Sequence, residues 1–278
     1  MLPDIVLQTD FGLTTGFVAS MYGVIRMVDQ SLDVFDLNHE IRPFDMRQGS
    51  FLLRDTIPYW KGGTVFVSVV DPGVGTARRG CVAKLNNGSF VVTPDNGSLT
   101  AILDWVVAVR EIDESVNRLK GSDKANSFHG RDVFAYTAAR LASGIINFEG
   151  VGPEYPVNEI VTFETTHGTV APGRAEGEIA GCTKHFGGAG TNIDVDEFEK
   201  TGIVYGDMTH VTIVKNGETL FDRDVLYHKS FEPILYNGST TPTIALSLNK
   251  RSFAEKFLPH IFDTGENFGD YKITIVKK

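Results

Sequence analysis

The segment "GTVFVSVVD", residues 63–71, constrains the fold more than any other part of the chain. It is a nearly continuous run of β-branched and aromatic residues, which is typical of a strand that is buried on both faces. Such a strand needs helices on both sides of its sheet. The neighbouring segments fit this requirement, because strand-like "DIVLQTD" and "LDVFDLNHE" alternate with helix-like "GFVASMYGVIRMV" and "DMRQGSFLLRDTI". The pattern predicts an α/β N-terminal domain with a mainly parallel sheet and crossover helices.

The second part of the chain has a different texture. After Gly152 the sequence becomes rich in proline, glycine and polar residues, which indicates a linker, and beyond it most segments are strand-like. "THVTIVKNGETLFDRDVLY" predicts a hairpin that turns at Asn216-Gly217. We therefore expect an α/β domain over residues 1–165 and a smaller β-rich domain over residues 166–278.

Composition excludes several functional classes. The net charge of −9 argues against nucleic-acid binding, which needs a basic face. No apolar run approaches the roughly 18 residues of a membrane span, and the first residues lack the features of a signal peptide. The two cysteines form no CxxC motif and the histidines show no metal-binding spacing, so we expect no disulfide framework, no metal site and a cytoplasmic location.

Three predicted strands each end in an aspartate followed by a turn. Asp10 begins "TDFG", Asp71 lies in "DPGVGT", and Asp95 lies in "PDNG" with Asn96 beside it. Ligands of open parallel sheets bind outside the carboxyl ends of the strands, so the three carboxylates are expected to converge on one crevice. The alternative is that each aspartate only satisfies the backbone of its own turn.

His129 precedes a predicted helix in "FHGRDVF". The positive end of a helix dipole favours the neutral form of a histidine at this place. A neutral imidazole can accept or donate a proton near neutral pH, which makes His129 a candidate catalytic group. It is equally consistent with a histidine that caps its own helix.

Five motifs, taken together, carry a family resemblance. "TDFG", "DPGVGTARR", "PDNG", "FHGRDVF" and "FGGAGTNI" occur in an order and spacing that resemble the SAM hydroxide adenosyltransferases (SAM hydrolases), relatives of the fluorinase and chlorinase. The resemblance implies a β-barrel-like C-terminal domain and a homotrimer. It also implies that S-adenosyl-L-methionine (SAM), a substrate and not a cofactor, binds between the N-terminal domain of one subunit and the C-terminal domain of its neighbour.

The resemblance also implies roles for individual residues. The catalytic trio of the hydrolases corresponds to Asp71, Arg78 and His129, which the halogenating relatives lack, so water or hydroxide is the expected nucleophile. Substrate-binding positions correspond to Asp10 at the ribose, Phe44 at the ribose and sulfonium, Phe128 and Gly130 in the nucleophile pocket, Phe186 near adenine and Arg251 at the carboxylate, and we add Asp95 and Asn96 from the third turn.

These roles explain the loop between Asp71 and Arg78. Gly73 and Gly75 fold the chain back and return the Arg78 guanidinium to Asp71, which keeps the carboxylate ionised and oriented. With His129, the pair is expected to orient water against the ribose C5′ and to yield adenosine and L-methionine. The leaving thioether is neutral and needs no acid.

Two departures from the family pattern concern the amino-acid end of SAM. Thr15 and Thr183 stand where the family carries aspartates that hold the ammonium group, and Gly188 replaces an asparagine at adenine. Two alternatives to SAM hydrolysis follow. The chain acts on another 5′-substituted adenosine, or it binds adenosine or SAM without turnover. The trio itself can also be read as a buried structural ion-pair network.

Overall fold

The computed structural model describes residues 2–124, 127–183, 186–228, 234–238, 241–263 and 265–278. The chain divides into two compact units, Met1–Phe163 and Glu164–Lys278, which are described separately below.

The first unit contains one mixed sheet. Its order is β2-β1-β3-β5-β4-β6-β7 among the described residues. The strands are β1 (Ile5–Thr9), β2 (Val34–Asn38), β3 (Val65–Val69), β4 (Gly80–Leu85), β5 (Phe90–Pro94), β6 (Val106–Glu111) and β7 (Glu154–Tyr155). β2, β1, β3 and β5 pair in parallel, whereas β4 runs antiparallel to both β5 and β6.

The parallel strands form the buried centre of the sheet. Every residue of β1 and β3 is buried, as the near-continuous apolar sequence of β3 predicts. Because both strands run in the same direction, Asp10 and Asp71 leave the sheet at the same edge. The structure confirms the predicted α/β architecture of this unit.

Helices connect the strands of this sheet. α1 (Phe17–Val28) follows β1 and α2 (Met46–Thr56) follows β2, and α1 buries the apolar face formed by Val18, Met21, Val24 and Ile25. The helix predicted after His129 begins as a π-helical segment, Gly130–Ala135, and continues as α3 (Tyr136–Ala142). The short 3₁₀ helices of this unit are Ile57–Tyr59, Thr100–Trp105, Glu149–Val151 and Val157–Glu159.

The segment after Gly152 differs from the predicted linker. β7 pairs with β6, Ile160 is buried, and the backbone N–H of Val161 donates to the Asp95 carboxylate over 2.8 Å. Residues 153–163 are therefore an ordered part of the first unit. Their proline and glycine content reflects tight turns between short elements and not a free connection.

The second unit is a closed barrel of seven strands with β8 attached outside it, as far as the described residues show. The strand outside the barrel is β8 (Thr169–Ala171). The barrel strands are β9 (Arg174–Cys182), β10 (Ala189–Asp194), β11 (Met208–Lys215), β12 (Glu218–Tyr227), β13 (Ile234–Asn237), β14 (Thr243–Ser247) and β15 (Tyr271–Lys277). Pairing of β9 with β10 closes the sheet on itself. The predicted hairpin is confirmed, and both Asn216 and Gly217 have positive φ, as a type I′ turn requires.

The barrel interior is filled by side chains. Ile213, Phe221, Phe253 and Ile273 are buried in one cluster, so this small barrel has a packed core. The short helices α4 (Val195–Glu199) and α5 (Phe253–Phe257) and the 3₁₀ helix Phe268–Asp270 complete the unit. None of the helices in the described part of the chain combines the length and apolarity needed to cross a bilayer.

Candidate active site

The loop after β3 brings Arg78 back to Asp71. Gly75 has φ of +76°, which allows the chain to reverse, and a Cβ added to Gly73 would lie 3.2 Å from Cγ of Arg78. The Arg78 Nε donates to both carboxylate oxygens of Asp71, over 2.9 and 3.1 Å, and Nη2 donates to Oδ2 as well. This two-pronged contact fixes the orientation of the carboxylate.

The Asp71–Arg78 ion pair is almost completely withdrawn from solvent. Only 5% of the Asp71 side chain and 9% of the Arg78 side chain are exposed. The guanidinium carbon of Arg78 lies 5.2 Å from the ring centre of Phe134, which covers the cation with an aromatic face. Burial of both charges means that neither can be removed without leaving the other uncompensated.

His129 extends the pair to a third group. Nη2 of Arg78 lies 3.0 Å from Nδ1 of His129. A guanidinium can only donate, so Nδ1 is the acceptor and the proton of the neutral ring is on Nε2. Burial of the imidazole lowers the pKa of His129 below its ordinary value, and the nearby positive charges of Arg78 and Arg118 lower it further.

This geometry restricts the chemistry of His129. In the neutral ring Nδ1 accepts from Arg78, so Nε2 carries the proton and can act only as a donor. The sequence predicted that the imidazole can either accept or donate a proton. While the contact with Arg78 is kept, the neutral ring can only donate.

The π-helical segment places His129 and Gly130 together. His129 is its N-terminal flanking residue and is only 4% exposed. A Cβ added to Gly130 would lie 3.0 Å from two ring atoms of Phe11, so a larger residue would displace that ring. π-Helical segments are rare and occur frequently at functional sites.

Asp10 lies close to Asp71 and holds Phe44. Oδ2 of Asp10 accepts the backbone N–H of Phe44 over 2.9 Å. Burial raises the pKa of Asp10, and the negative charge of Asp71 contributes in the same direction. The two carboxylates thus belong to one local electrostatic environment.

Phe44 adopts an unusual backbone conformation. Its φ is +69°, and 64% of the residue is exposed. Bulky residues are uncommon at positive φ, and such strain concentrates at ligand sites. Asp10 fixes the backbone of Phe44, and the exposed ring of this residue is a candidate ligand contact.

Three phenylalanines form an aromatic cluster on the same side of the unit. The rings of Phe11, Phe17 and Phe128 contact one another edge to face, with centroids 5.2–6.0 Å apart. Phe128 immediately precedes His129, and Phe11 immediately follows Asp10. The cluster therefore joins the two turns that carry these polar groups.

Asp95 does not join this cluster, in contrast to the expected convergence of three carboxylates. Its side chain is 0% exposed and binds Arg79, the hydroxyl of Tyr155 over 3.0 Å and the backbone N–H of Val161. All of these partners are structural elements of the first unit. The carboxylate secures the 153–163 segment and is not accessible to a ligand.

Arg78 and Arg79 therefore serve different carboxylates. Arg78 binds Asp71 and His129, whereas Arg79 binds Asp95 and the backbone oxygen of Glu159. Neighbouring residues of an extended segment point in opposite directions, which explains this division.

Asn96 acts from the neighbouring turn. Its Nδ2 donates to the backbone oxygen of Val70 over 2.9 Å, and its Oδ1 accepts from Ser98. The contact ties the turn after β5 to the residue that precedes Asp71, so Asn96 supports the position of the Asp71 loop. The helix that follows it is a 3₁₀ helix, Thr100–Trp105.

The predicted binding residues of the second unit lie on two adjacent segments. Phe186 is 84% exposed, and its neighbour Gly187 accepts the backbone N–H of Ala254, which follows Arg251 closely in the chain. Arg251 is exposed and bridges to Leu248. At the departures from the family pattern, Thr183 accepts the N–H of Gly188 through its hydroxyl.

Two groups near the site were not foreseen from the sequence. Oε1 of Glu114 lies 3.8 Å from Nδ1 of His129, and Glu114 pairs with Arg118. A second group lies below Asp10, where the Thr9 hydroxyl contacts Nδ1 of His39 over 2.8 Å and Nε2 of His39 contacts Asp36 over 2.7 Å. No sequence motif reveals either group, because each group includes residues that are far apart in the chain and meet only in the folded structure.

Cys81 lies in the buried core of the first unit. Burial raises the pKa of Cys81 to about 12, so this thiol is not an available nucleophile. Within the described ranges, no three His, Cys, Asp or Glu side chains come close enough together to hold a metal ion.

Comparison with known proteins agrees with the geometry of the first unit. The profile of the SAM hydroxide adenosyltransferase N-terminal domain matches residues 5–152. An (R)-S-adenosyl-L-methionine hydrolase of Salinispora arenicola is 44% identical over 146 residues, which are 51% of this chain and 54% of that protein. This match thus spans about half the length of that relative.

Two further comparisons cover more of the chain. An (R)-S-adenosyl-L-methionine hydrolase of Methanocaldococcus jannaschii is 33% identical over 201 residues, which are 71% of this chain and 69% of that protein. The crystal structure of an uncharacterized conserved protein from Thermotoga maritima superposes with a TM-score of 0.83 at 29% identity, covering 98% of this chain and 99% of that one.

Proposed function

This chain belongs to the SAM hydroxide adenosyltransferase family, and from that premise we propose that it hydrolyses S-adenosyl-L-methionine to adenosine and L-methionine. The observation that carries the proposal is the hydrogen-bonded series from Asp71 through Arg78 to His129. It joins three polar groups that are close to Asp10 and to the aromatic cluster of Phe11, Phe17 and Phe128.

The proposed role of the trio is to hold and polarise the nucleophile. Of the residues that the structure describes, only Arg78 donates to Oδ1 of Asp71, through Nε, so this oxygen keeps a lone pair that can accept one hydrogen of a water molecule. His129 fixes the Arg78 guanidinium through Nδ1 and is proposed to help orient the same water. The adjacent guanidinium favours development of negative charge on the water oxygen, as in hydroxide.

The reaction balances without an acid catalyst. The oxygen forms a bond to C5′ of the ribose while the C5′–S bond breaks. The electron pair of the C5′–S bond stays on sulfur and neutralises the sulfonium. One proton of the water passes to solvent when water is the nucleophile, and none is released when hydroxide attacks. Alignment of the two reactants can lower the barrier by about 7–11 kcal/mol in well-oriented systems.

Asp10 and Phe44 are proposed to bind the ribose. The Asp10 carboxylate accepts from the Phe44 backbone through one oxygen, which leaves acceptor capacity for ribose hydroxyls. Phe44 presents its exposed ring next to this carboxylate. Phe128 and Gly130 are proposed to bound the nucleophile, while Asp95 and Asn96 support the loop from behind.

The remaining features of the proposal follow the family resemblance. Phe186 is proposed to contact adenine and Arg251 the substrate carboxylate, in an active site shared between subunits of a homotrimer. We propose that the reaction needs no cofactor. Cys81 and Cys182 form no disulfide with each other, which supports the proposal of a reducing, cytoplasmic location.

A second candidate function is hydrolysis of another 5′-substituted adenosine. One observation favours it, which is that Leu13 and Phe17 are exposed around Thr15 next to the Asp10 turn. Thr15 uses its hydroxyl to accept the N–H of Phe17 and provides no carboxylate for an ammonium group. These apolar neighbours suit a 5′ substituent without an amino acid.

The test is an incubation with SAM in ¹⁸O-labelled water. We expect adenosine and L-methionine in equal amounts, with the label in the 5′-hydroxyl of adenosine because the nucleophile attacks C5′. The Asp71→Asn variant keeps the size of the side chain and is expected to lose turnover. A sulfonium or thioether analogue without the amino acid, assayed in parallel, tests the second candidate.

The outcomes separate the candidates. Turnover of the analogue but not of SAM would replace the first function by the second. Adenosine binding without turnover of either compound would identify a binding protein and overturn both.

A further inference from the structure

An ion pair outside the trio faces His129. Nη1 of Arg118 lies 2.7 Å from Oε2 of Glu114, and the other oxygen of Glu114 lies 3.8 Å from Nδ1 of the imidazole. At 3.8 Å this second contact is electrostatic and not a hydrogen bond. Glu114 is therefore shared between a guanidinium that neutralises it and an imidazole that it would otherwise help to protonate.

The segment that carries this pair is firmly held. Asn117 donates to the backbone oxygens of Gly150 and Val151 over 3.0 and 2.9 Å, and its own backbone oxygen accepts the Thr137 hydroxyl. Arg118 is fixed a second time, because its Nε donates to Ser122 over 3.2 Å. The charges of Glu114 and Arg118 thus stand at defined positions relative to the ring.

Four charged groups act on His129. Arg78 and Arg118 oppose its protonation, whereas Glu114 and Asp71 favour it, and burial opposes it more strongly than any single charge. Arg131, on the same segment as His129, is bound to Asp132 and lies over the Phe128 ring. The protonation state of His129 therefore depends on a balance in which Glu114 and Arg118 have opposite signs.

We infer that Glu114 and Arg118 are positioning residues that act on His129 in opposite directions, and that Arg118, by holding Glu114, keeps the ring neutral so that Nδ1 accepts from Arg78. Arg118 draws Glu114 away from the imidazole. Without that restraint the full negative charge of Glu114 would favour the imidazolium, whose Nδ1–H cannot accept from Arg78. The Asp71–Arg78–His129 arrangement would then break at its last link.

The consequence for activity rests on the proposed function, but the consequence for His129 does not. Glu114→Gln removes the negative charge and keeps the size of the side chain, so the midpoint of His129 protonation is expected to move to lower pH. Arg118→Met removes the restraint on Glu114, so the midpoint is expected to move to higher pH. Opposite shifts from two partners of one ion pair are not expected from a merely structural contact.

The experiment is an NMR titration of the histidine ring nitrogens in the full-length protein. The His129 signals are assigned by their loss in His129→Asn. Glu154→Gln is the matched control, because Glu154 forms a similar pair with Arg110 over 2.8 Å and is not among the charges that act on His129. The midpoint in this control is expected to equal that of the unmodified protein.

The outcomes are decisive with or without turnover. Shifts in the same direction, or no shift in Glu114→Gln, would overturn the inference. If Arg118→Met does not fold, the direction of the Glu114→Gln shift decides alone. Opposite shifts in a protein that does not turn over SAM would retain the inference and reject the proposed function. In an active protein, the acid limb of the rate profile is expected to move with each midpoint.

Discussion

Nη2 of Arg78 donates to Nδ1 of His129 over 3.0 Å, which makes the histidine an obligatory acceptor at that nitrogen. The imidazole must therefore be neutral for the arrangement around Asp71 to be complete. Burial lowers the pKa of His129 below its ordinary value of 6.5, so the neutral form persists into mildly acidic solution.

The first prediction concerns the pH dependence of the rate. Activity is expected to be constant through neutral pH and to fall only below the ordinary histidine value, since protonation of Nδ1 expels the Arg78 donor. The same linkage acts on stability. The pKa of His129 is lower in the folded state than in the unfolded chain, so the unfolded chain binds the proton more readily. The free energy of unfolding therefore decreases as pH falls below 6.5.

The measurements are the pH profile of kcat/KM and the melting temperature. The unmodified protein is expected to lose melting temperature relative to His129→Asn as the solution becomes acidic. An acid limb at or above pH 6.5 would contradict the assignment.

The second prediction concerns the buried Asp71–Arg78 pair. Arg78→Met leaves an uncompensated carboxylate that is 5% exposed, and the expected loss of unfolding free energy is about 3–5 kcal/mol. Arg174→Met breaks an exposed pair with Glu176 and is expected to cost about 1 kcal/mol or less. Denaturant unfolding of both variants measures the difference, and equal losses would show that the Asp71 site is hydrated.

The third prediction distinguishes structural from binding roles for Asp95. Asp95→Asn removes the charge opposite Arg79, which is 28% exposed and also pairs with Glu159, and the expected loss is about 1–3 kcal/mol of unfolding free energy. Faster hydrogen exchange is expected at Val161, whose N–H the carboxylate accepts. KM of the folded fraction is expected to be unchanged. A raised KM with unchanged exchange would assign Asp95 to the substrate instead.

The fourth prediction is that replacing Phe44 has opposite effects on stability and on substrate binding. Phe44→Gly relieves a positive φ that costs a non-glycine residue about 1–2 kcal/mol, while little buried area is lost because the ring is exposed. The melting temperature is therefore expected to stay level or rise, whereas KM rises. Calorimetry and steady-state kinetics test this, and a destabilised variant with unchanged KM would refute it.

The fifth prediction concerns the barrel surface. His210 lies between Asp222 and Asp224, and these carboxylates raise its pKa. Its stabilising contribution is then present in full below 6.5 and is lost as pH rises through the higher folded-state value. The melting temperature of His210→Ala is expected to be lower than that of the unmodified protein in mild acid and equal to it in alkaline solution. An equal deficit at both extremes would indicate a packing effect.

The sequence was sufficient for those parts of the molecule that depend on local patterns. The β3 run predicted a fully buried strand, and the Asn216-Gly217 turn predicted its hairpin. The loop glycines between Asp71 and Arg78 predicted the contact of these two residues, which the structure shows, whereas His129 was assigned to them through the family resemblance.

Other parts depend on contacts between distant segments and leave little trace in the sequence. Asp95 looks like Asp10 and Asp71 in the chain, but the antiparallel return of β4 carries Arg79 to it and turns it into the core. Glu114 and His39 reach the site only through the arrangement of the folded chain. Residues 153–163 read as a linker because their polar composition does not reveal the partners that hold them.

The division of labour between Arg78 and Arg79 has a consequence for variation in this loop. Their guanidinium groups diverge because the backbone between them is extended, so loop length, and not only residue type, decides which cation reaches which acid. Deleting or inserting one residue between positions 72 and 77 would offset the two side chains against their targets and lose both the reaction centre and its scaffold at once. Homologous loops are therefore expected to drift in composition while their residue count stays constant.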